Sequence, residues 1–72
     1  MPTILLNGEP REVPDAATVE TLVSSLEAEG LTVDRRALAI EVNRMIVPRS
    51  TYADHALRER DEIELVTIVG GG

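Results

Sequence analysis

A single amphipathic helix among strand-like runs is the feature that most limits how this chain can fold. In the segment "PDAATVETLVSSLEAEG", apolar residues recur at the spacing of one helix face, at Val19, Leu22, Val23 and Leu26. A chain of 72 residues is enough for one domain and not for two. The apolar stripe therefore has only the strands to cover. The sequence predicts an α+β domain in which one main helix packs on one face of a sheet.

The two ends of the helix are also marked in the sequence. Thr18 is the expected N-cap residue, and Asp15 is the alternative. Gly30 stands where a glycine beyond the helix C-terminus can take a positive φ. These signals predict a helix that lies between residues 18 and 30.

Four strand-like runs form two hairpins around the helix, and a fifth run follows them. Turn residues Asn7-Gly8 divide "TILLNGEPREV", and Asn43-Arg44 divide "ALAIEVNRMIVP". The last run is "DEIELVTIV". A crossover through the helix permits parallel pairing of the first and last strands. We therefore expect a β-grasp fold with a mixed sheet in residues 1–69, followed by a flexible tail in residues 70–72.

The segment between the second hairpin and the last strand predicts a loop with a short helical turn. Pro48 ends the preceding strand, because proline cannot donate to a strand ladder. Ser50 is the expected cap of the turn, and Tyr52 and Leu57 are expected to pack inward.

Composition excludes several classes of protein. The formal net charge is −6, which argues against binding to nucleic acid, because phosphates repel an acidic chain. No apolar run approaches the roughly 18 residues of a membrane span, and there is no signal-peptide pattern. We expect a cytoplasmic protein that is a monomer when free and docks on a basic partner surface. Acidity that serves only solubility is the alternative.

The side chains that usually carry catalysis are scarce. His55 is the single histidine, there is no cysteine, and the acidic residues are dispersed along the chain. A metal site needs ligands that converge, and no glycine-rich phosphate loop leads into the helix. We therefore expect no metal, no bound cofactor and no catalytic residue, so that the chain is not an enzyme by itself.

Three glycines, Gly70, Gly71 and Gly72, end the sequence directly after the last strand. They do not help folding, because glycine loses the most conformational entropy and brings no side chain. They are useful where a backbone threads a narrow channel, or where a terminal carboxylate projects from the domain. We expect this tail to be mobile in the free protein. A frayed end or a remnant of cloning is the alternative.

The last strand predicts a docking surface next to the tail. By alternation, Ile63 and Leu65 face the helix, whereas Val66 and Ile68 face the opposite, uncovered side. Leu5 has the same outward parity in the first strand and is expected to join them. Exposed apolar residues with acidic neighbours indicate a partner site, and scattered surface apolar residues are the alternative.

Taken together, these segments resemble the ThiS family, a group of ubiquitin-like β-grasp sulfur carriers of thiamine biosynthesis. The resemblance covers the whole chain and is carried by "ILLNGEP", "TVETLVSSL", "ALAIEVNRMIVPRSTYADHAL" and "DEIELVTIVGGG". Its most specific part is "IVPR" together with the terminal glycines. The chain departs from the family at Arg60, where relatives usually have glycine. If the glycine conformation is retained, Arg60 has a positive φ.

The resemblance implies that other enzymes act on this chain. A ThiF-type adenylating enzyme uses ATP and magnesium to activate the carboxylate of Gly72 as an acyl-adenylate. A persulfide, supplied indirectly by a cysteine desulfurase or another donor, converts the adenylate into a thiocarboxylate. A ThiG-type thiazole synthase then takes this sulfur into the thiazole ring. Gly70 and Gly71 are the residues that the partners recognise in the tail.

Three other functions remain open from the sequence. The small subunit of molybdopterin synthase would share the fold, the tail and the activation step. A ubiquitin-like modifier would join Gly72 to lysines, and a noncovalent β-grasp binding module would form no bond. The sequence does not identify the sulfur donor.

Overall fold

The computed structural model describes residues 1–68 as one mixed sheet with a single α-helix on one face. Residues 69–72 lie outside the described residues, and so does the predicted tail from Gly70 to Gly72. The strands and the helix are, in chain order, β1 (Thr3–Leu6), β2 (Glu9–Glu12), α1 (Val19–Ala28), β3 (Leu38–Val42), β4 (Met45–Ile46) and β5 (Glu62–Thr67). Two short 3₁₀ helices cover Arg35–Ala37 and Arg49–Asp54.

The five strands lie in the order β2-β1-β5-β3-β4. β1 and β5 are parallel, with Leu5 opposite Glu62 and Leu6 opposite Ile63. The other three pairs are antiparallel. This arrangement confirms the mixed sheet and the crossover through the helix, and it places β5 in the centre of the sheet.

The two hairpin turns follow from residues that accept positive φ. Asn7 and Gly8 have φ of 49° and 84°, and Asn43 and Arg44 have φ of 51° and 70°. Two consecutive positive φ angles match the twist of the flanking strands. Both predicted turns are therefore confirmed, although the second one places an arginine where glycine is preferred.

Both ends of α1 are also as predicted. Thr18 is the N-cap: its Oγ1 accepts the Thr21 N–H at 3.2 Å, and its own N–H donates to Thr21 Oγ1 at 3.1 Å. This reciprocal pair satisfies donors that the first helical turn leaves free. Asp15 instead lies 3.1 Å from the N-terminal amine. Gly30 follows the helix with φ of 117°.

The core lies between α1 and one face of the sheet. Tyr52 and Leu57 are buried there, as predicted. The predicted Ser50 cap is wrong, because Pro48 occupies the N-cap position and Ser50 lies inside the 3₁₀ helix. That helix is held instead by Thr51, whose Oγ1 donates to the Pro48 carbonyl at 2.8 Å. The core residues with the most deeply buried side chains are Ile4, Val19, Leu22, Val23, Ile40 and Ile63.

Candidate functional site

The candidate site is the end of β5 and the surface around it, since this strand leads toward the glycine tail. On one side, β5 pairs with β3 along its length, from Ile63 opposite Val42 to Thr67 opposite Leu38. One further hydrogen bond, from the Ile68 N–H to the Ala37 carbonyl at 2.7 Å, extends this contact beyond the strand. The domain therefore holds the chain in an extended path up to the last described residue.

Side chains along β5 alternate between the core and the surface. Ile63 is 1% exposed and Leu65 packs against the core, whereas Val66 is 43% exposed and Ile68 is 55% exposed. Val66 stands opposite Ala39 of β3. We call Val66, Ile68 and Ala39 the β5 patch. It lies on the face that the helix leaves uncovered.

Acidic residues border the β5 patch on the same sheet face. Glu64 lies directly opposite Glu41, and both side chains point to the same sheet face as Val66. Within residues 1–68, neither carboxylate forms an ion pair. Like charges directly across a strand pair repel. This border therefore favours a partner that brings positive charge.

Leu5 lies on the uncovered face but away from the β5 patch. It stands opposite Glu62, four residues before Val66 along β5. The outward side chains of Glu62 and Glu64 lie between Leu5 and Val66. The structure thus brings Val66 and Ile68 together and places Leu5 at the other end of the acidic border.

Arg60 occupies the tight turn that leads into β5. Its φ is 70°, and its N–H donates to the Thr3 carbonyl at 2.8 Å. Asp61 supports the turn, because its carboxylate accepts the Arg58 N–H at 2.8 Å. The expectation of a positive φ at Arg60 is therefore confirmed.

Two features of the surface are not predicted by local sequence patterns. The Asn7 side chain accepts the Leu65 N–H at 2.8 Å, a contact between residues 58 positions apart. Along β4, Met45 and Ile46 are 74% and 68% exposed beside a groove of about 560 Å³ that His55 also lines. The contact between Asn7 and Leu65 depends on the register of distant strands, so no residues close together in the sequence indicate it. The exposure of both Met45 and Ile46 has no local signal either, because alternation along a strand would place one of the two on each face.

The shifted pKa values belong to side chains outside β5. Hydrogen bonds from Arg35 lower the pKa of Glu20 and of Glu27, and those from Arg36 lower the pKa of Asp34 to about 2. These are structural ion pairs between exposed or partly exposed side chains. Burial raises the pKa of Tyr52.

No group of three or more histidine, cysteine, aspartate or glutamate side chains converges within residues 1–68. None of the helices described here is long and apolar enough to cross a membrane.

Comparison with known proteins gives a consistent result. A family model described as the ThiS family matches residues 4–72. The chain is 41% identical over 69 residues to a thiazole synthase of Paramagnetospirillum magneticum, which covers 96% of this chain and 20% of the relative. It is 29% identical over 69 residues to the sulfur carrier protein ThiS of Escherichia coli, and the match covers 96% of this chain and 97% of that protein.

The solved structures show the same fold. The crystal structure of the thiamine biosynthesis protein ThiS from Geobacter metallireducens superposes with a TM-score of 0.78 at 24% identity, covering 97% of this chain and 99% of that one. A thiazole synthase of Magnetococcus marinus is 39% identical over 69 residues. This chain spans about a fifth of the length of that protein and of the Paramagnetospirillum magneticum synthase.

Proposed function

The chain belongs to the ThiS family, and from this premise we propose that it is a sulfur carrier protein of thiamine biosynthesis that carries sulfur on the carboxyl group of Gly72. The observation that carries the proposal is the family match, which extends through the β-grasp domain to the final glycine. The chain is then a protein cosubstrate, and the chemistry is done by its partners.

The first step is activation of the Gly72 carboxylate. A carboxylate oxygen is a poor leaving group, so an adenylating enzyme of the ThiF type transfers AMP from ATP to it and releases pyrophosphate. Magnesium bound with the ATP belongs to that enzyme. The side chains of this domain contribute no catalytic group to the step. They present the tail and the docking surface.

Sulfur then replaces the adenylate. The terminal sulfur of a protein persulfide attacks the acyl carbon, and AMP leaves with its bonding electrons. A thiol cleaves the resulting acyl disulfide, forms a disulfide with the donor's sulfur and leaves the thiocarboxylate on Gly72. This chain has no cysteine, so under the proposal its C-terminus is the one place where it holds the sulfur.

The proposed acceptor is a thiazole synthase of the ThiG type. The support is that two proteins named thiazole synthase contain a region 41% and 39% identical to this chain. A carrier region within the synthase polypeptide keeps the two activities at a high effective concentration. We propose that this chain meets its synthase through the same kind of contact.

The proposed docking surface is the β5 patch with its acidic border. Val66 and Ile68 are exposed next to the tail, and apolar surface with charged neighbours is typical of partner sites. Gly70 and Gly71 have no Cβ and would pass through a narrow channel to the reacting centre.

Intact mass spectrometry tests the carrier function. The purified chain is incubated with the adenylating enzyme, ATP, magnesium, a persulfide donor and a thiol. The expected product is heavier by the replacement of one oxygen by sulfur, and omission of ATP abolishes it. A mass increase equal to a second polypeptide would indicate a modifier. An unchanged mass would contradict both covalent functions.

A chain extended by one alanine after Gly72 is the matched control. It keeps every residue of the domain but moves the reacting carboxylate away from glycine. We expect it to fold like the unmodified chain and to accept no sulfur. Sulfur uptake by the extended chain would place the acceptor elsewhere and contradict the proposal.

A further inference from the structure

The two edges of β5 are paired to different extents. On the β3 side, the ladder continues to Thr67 and to the Ile68 N–H. On the β1 side, the parallel pairing covers only Glu62 and Ile63, because the chain turns at Asn7 into β2. The second half of β5 therefore has a neighbouring strand on one side only.

The direction of the backbone groups follows from the observed hydrogen bonds. The Glu62 carbonyl accepts the Asn43 N–H at 2.8 Å, so the backbone groups of the even-numbered residues of β5 point toward β3. Those of the odd-numbered residues, including Leu65 and Thr67, point toward β1. The Ile63 carbonyl accepts the Asn7 N–H at 2.8 Å on that side.

The Asn7 side chain ends this pairing. Its Oδ1 accepts the Leu65 N–H. Beyond Asn7 the chain turns into β2 and no longer runs beside β5. The next backbone groups of β5 that point to the β1 side are the Leu65 carbonyl and the N–H and carbonyl of Thr67. Within residues 1–68, the β1–β5 ladder ends at Ile63, and no other hydrogen bond reaches these three groups from the β1 side. We call residues 65–67 on this side the open edge.

An apolar pocket lies beside the open edge on the helix side. It has a volume of about 360 Å³ and includes Leu65 itself. A residue of an added strand whose side chain points to the helix side would reach this pocket, because alternate side chains project from opposite faces. We call it the edge pocket; its lining residues are Leu6, Asn7, Leu26, Glu29, Leu31 and Leu65.

We propose that the open edge accepts an extended segment of a partner protein as an added strand, with an apolar side chain of that segment in the edge pocket. Strand addition is a common mode of peptide recognition, in which main-chain hydrogen bonds hold the peptide and side-chain pockets select it. The inference rests on the proposed function only in the choice of partners for the test, which are the adenylating enzyme and the thiazole synthase.

The charge of this region selects the kind of segment that binds. Glu64 directly precedes the open edge and points to the uncovered face, and Glu62 precedes it on that face. Together with the net charge of −6, these carboxylates favour a segment that carries arginine or lysine next to its apolar residue. An acidic segment would be repelled.

Replacement of Thr67 by proline tests the open edge. Thr67→Pro removes the N–H that points away from β3, so the β3 ladder keeps its hydrogen bonds. The residue before a proline favours an extended backbone, which Val66 already has. Thr67→Val is the matched control, because it changes the side chain and retains the N–H. Thermal melting of both variants checks that the fold is intact.

The affinity of each variant is measured for the adenylating enzyme and for the thiazole synthase. We expect Thr67→Pro to lose at least about tenfold in affinity for one of them, the loss that removal of a strong hydrogen bond produces. Thr67→Val is expected to bind like the unmodified chain. Equal affinities of the three proteins would overturn the inference. So would a similar loss in both variants, because it would assign the contact to the threonine side chain.

Amide hydrogen exchange gives an independent readout. The Thr67 N–H is expected to exchange quickly in the free chain and to become protected in the complex. If the Thr67 N–H of the free chain becomes more protected as the protein concentration rises, a second copy of this chain occupies the edge, and the inference is overturned. Failure of the unmodified chain to accept sulfur, with Thr67 protected in a complex, would contradict the proposed function and leave strand addition standing. If the unmodified chain binds neither enzyme, both proposals fail.

Discussion

Asn7 ends the pairing of β1 with β5 by accepting the Leu65 N–H on its side-chain oxygen at 2.8 Å. The same residue begins the first hairpin turn with φ of 49°. One asparagine therefore sets both the turn and the point at which β5 loses its neighbour. Asparagine suits both roles, because it tolerates positive φ and carries an acceptor on a short side chain.

Asn7→Gly separates these two roles. Glycine accepts the turn conformation but has no acceptor, so the Leu65 N–H loses its partner. We expect a loss of about 0.5–1.5 kcal/mol in the free energy of unfolding, measured by urea denaturation, and faster exchange of the Leu65 amide. Asn7→Asp keeps an acceptor and is expected to retain the amide protection. Equal exchange rates in Asn7→Gly and the unmodified chain would contradict the assigned role.

Arg60→Gly is expected to stabilise the protein. Arg60 has φ of 70° in the turn before β5, and a side chain in this region costs about 1 kcal/mol. Glycine also adds freedom to the unfolded chain, which offsets part of this gain. The melting temperature is therefore expected to rise by less than the roughly 4–8 °C that a full 1 kcal/mol would give in a domain of this size. Arg58→Gly is the control: Arg58 has no positive φ, so glycine there only adds freedom to the unfolded chain and lowers stability. A lower melting temperature for Arg60→Gly would show that the arginine side chain has a compensating contact.

The ion pairs on the helix side predict how stability depends on pH. Hydrogen bonds from Arg35 lower the folded-state pKa of Glu20 and Glu27. A lowered carboxyl pKa gives stability that is present above the unfolded value of about 4.3 and is lost as the pH falls through the folded value. We expect a constant melting temperature from pH 7 to pH 5 and a decline below about pH 4.5.

Arg35→Gln tests this assignment. Its melting temperature is expected to lie below that of the unmodified chain at pH 7, and the difference is expected to shrink as the pH falls through the lowered folded-state pKa values of the two glutamates. The side chains are partly exposed, so added salt also reduces the difference. Arg58→Gln is the control, since the Arg58 side chain forms no ion pair with residues 1–68. A pH-independent difference for Arg35→Gln would assign the contribution of Arg35 to packing.

Val66→Asp tests the β5 patch as a docking surface. Val66 is 43% exposed, so we expect the melting temperature to change little, by the equivalent of about 1 kcal/mol or less. An unpaired charge buried at an interface costs several kcal/mol, and ~1.4 kcal/mol is tenfold in affinity. Affinity for the adenylating enzyme is therefore expected to fall by orders of magnitude.

Val66→Thr is the matched control, because it keeps the β-branched shape and adds no charge. It is expected to adenylate at nearly the rate of the unmodified chain. Unchanged adenylation kinetics in Val66→Asp would show that the partner docks elsewhere. Early melting would show that Val66 contributes to the core.

Local rules explain what the sequence determined by itself. The Asn7-Gly8 and Asn43-Arg44 turns, the Thr18 cap and the apolar stripe of α1 depend on residues close together in the chain. The exposure of Val66 also follows from a local rule, because side chains alternate along a strand whatever its neighbours. These signals were sufficient for the β-grasp fold class, and the resemblance to the ThiS family added the proposed chemistry of Gly72.

Only the tertiary structure decided the features that depend on register between distant segments. Alternation predicts the face on which Leu5 lies, but the pairing of Leu5 with Glu62 decides that it stands away from Val66. The bond from Leu65 to Asn7 joins residues 58 positions apart, and that from Arg35 to Glu20 joins residues 15 apart. The open edge exists because β1 stops pairing after Ile63 while β3 continues to Thr67. The length of a ladder is set by how two strands meet in space, and no periodicity within either strand encodes it.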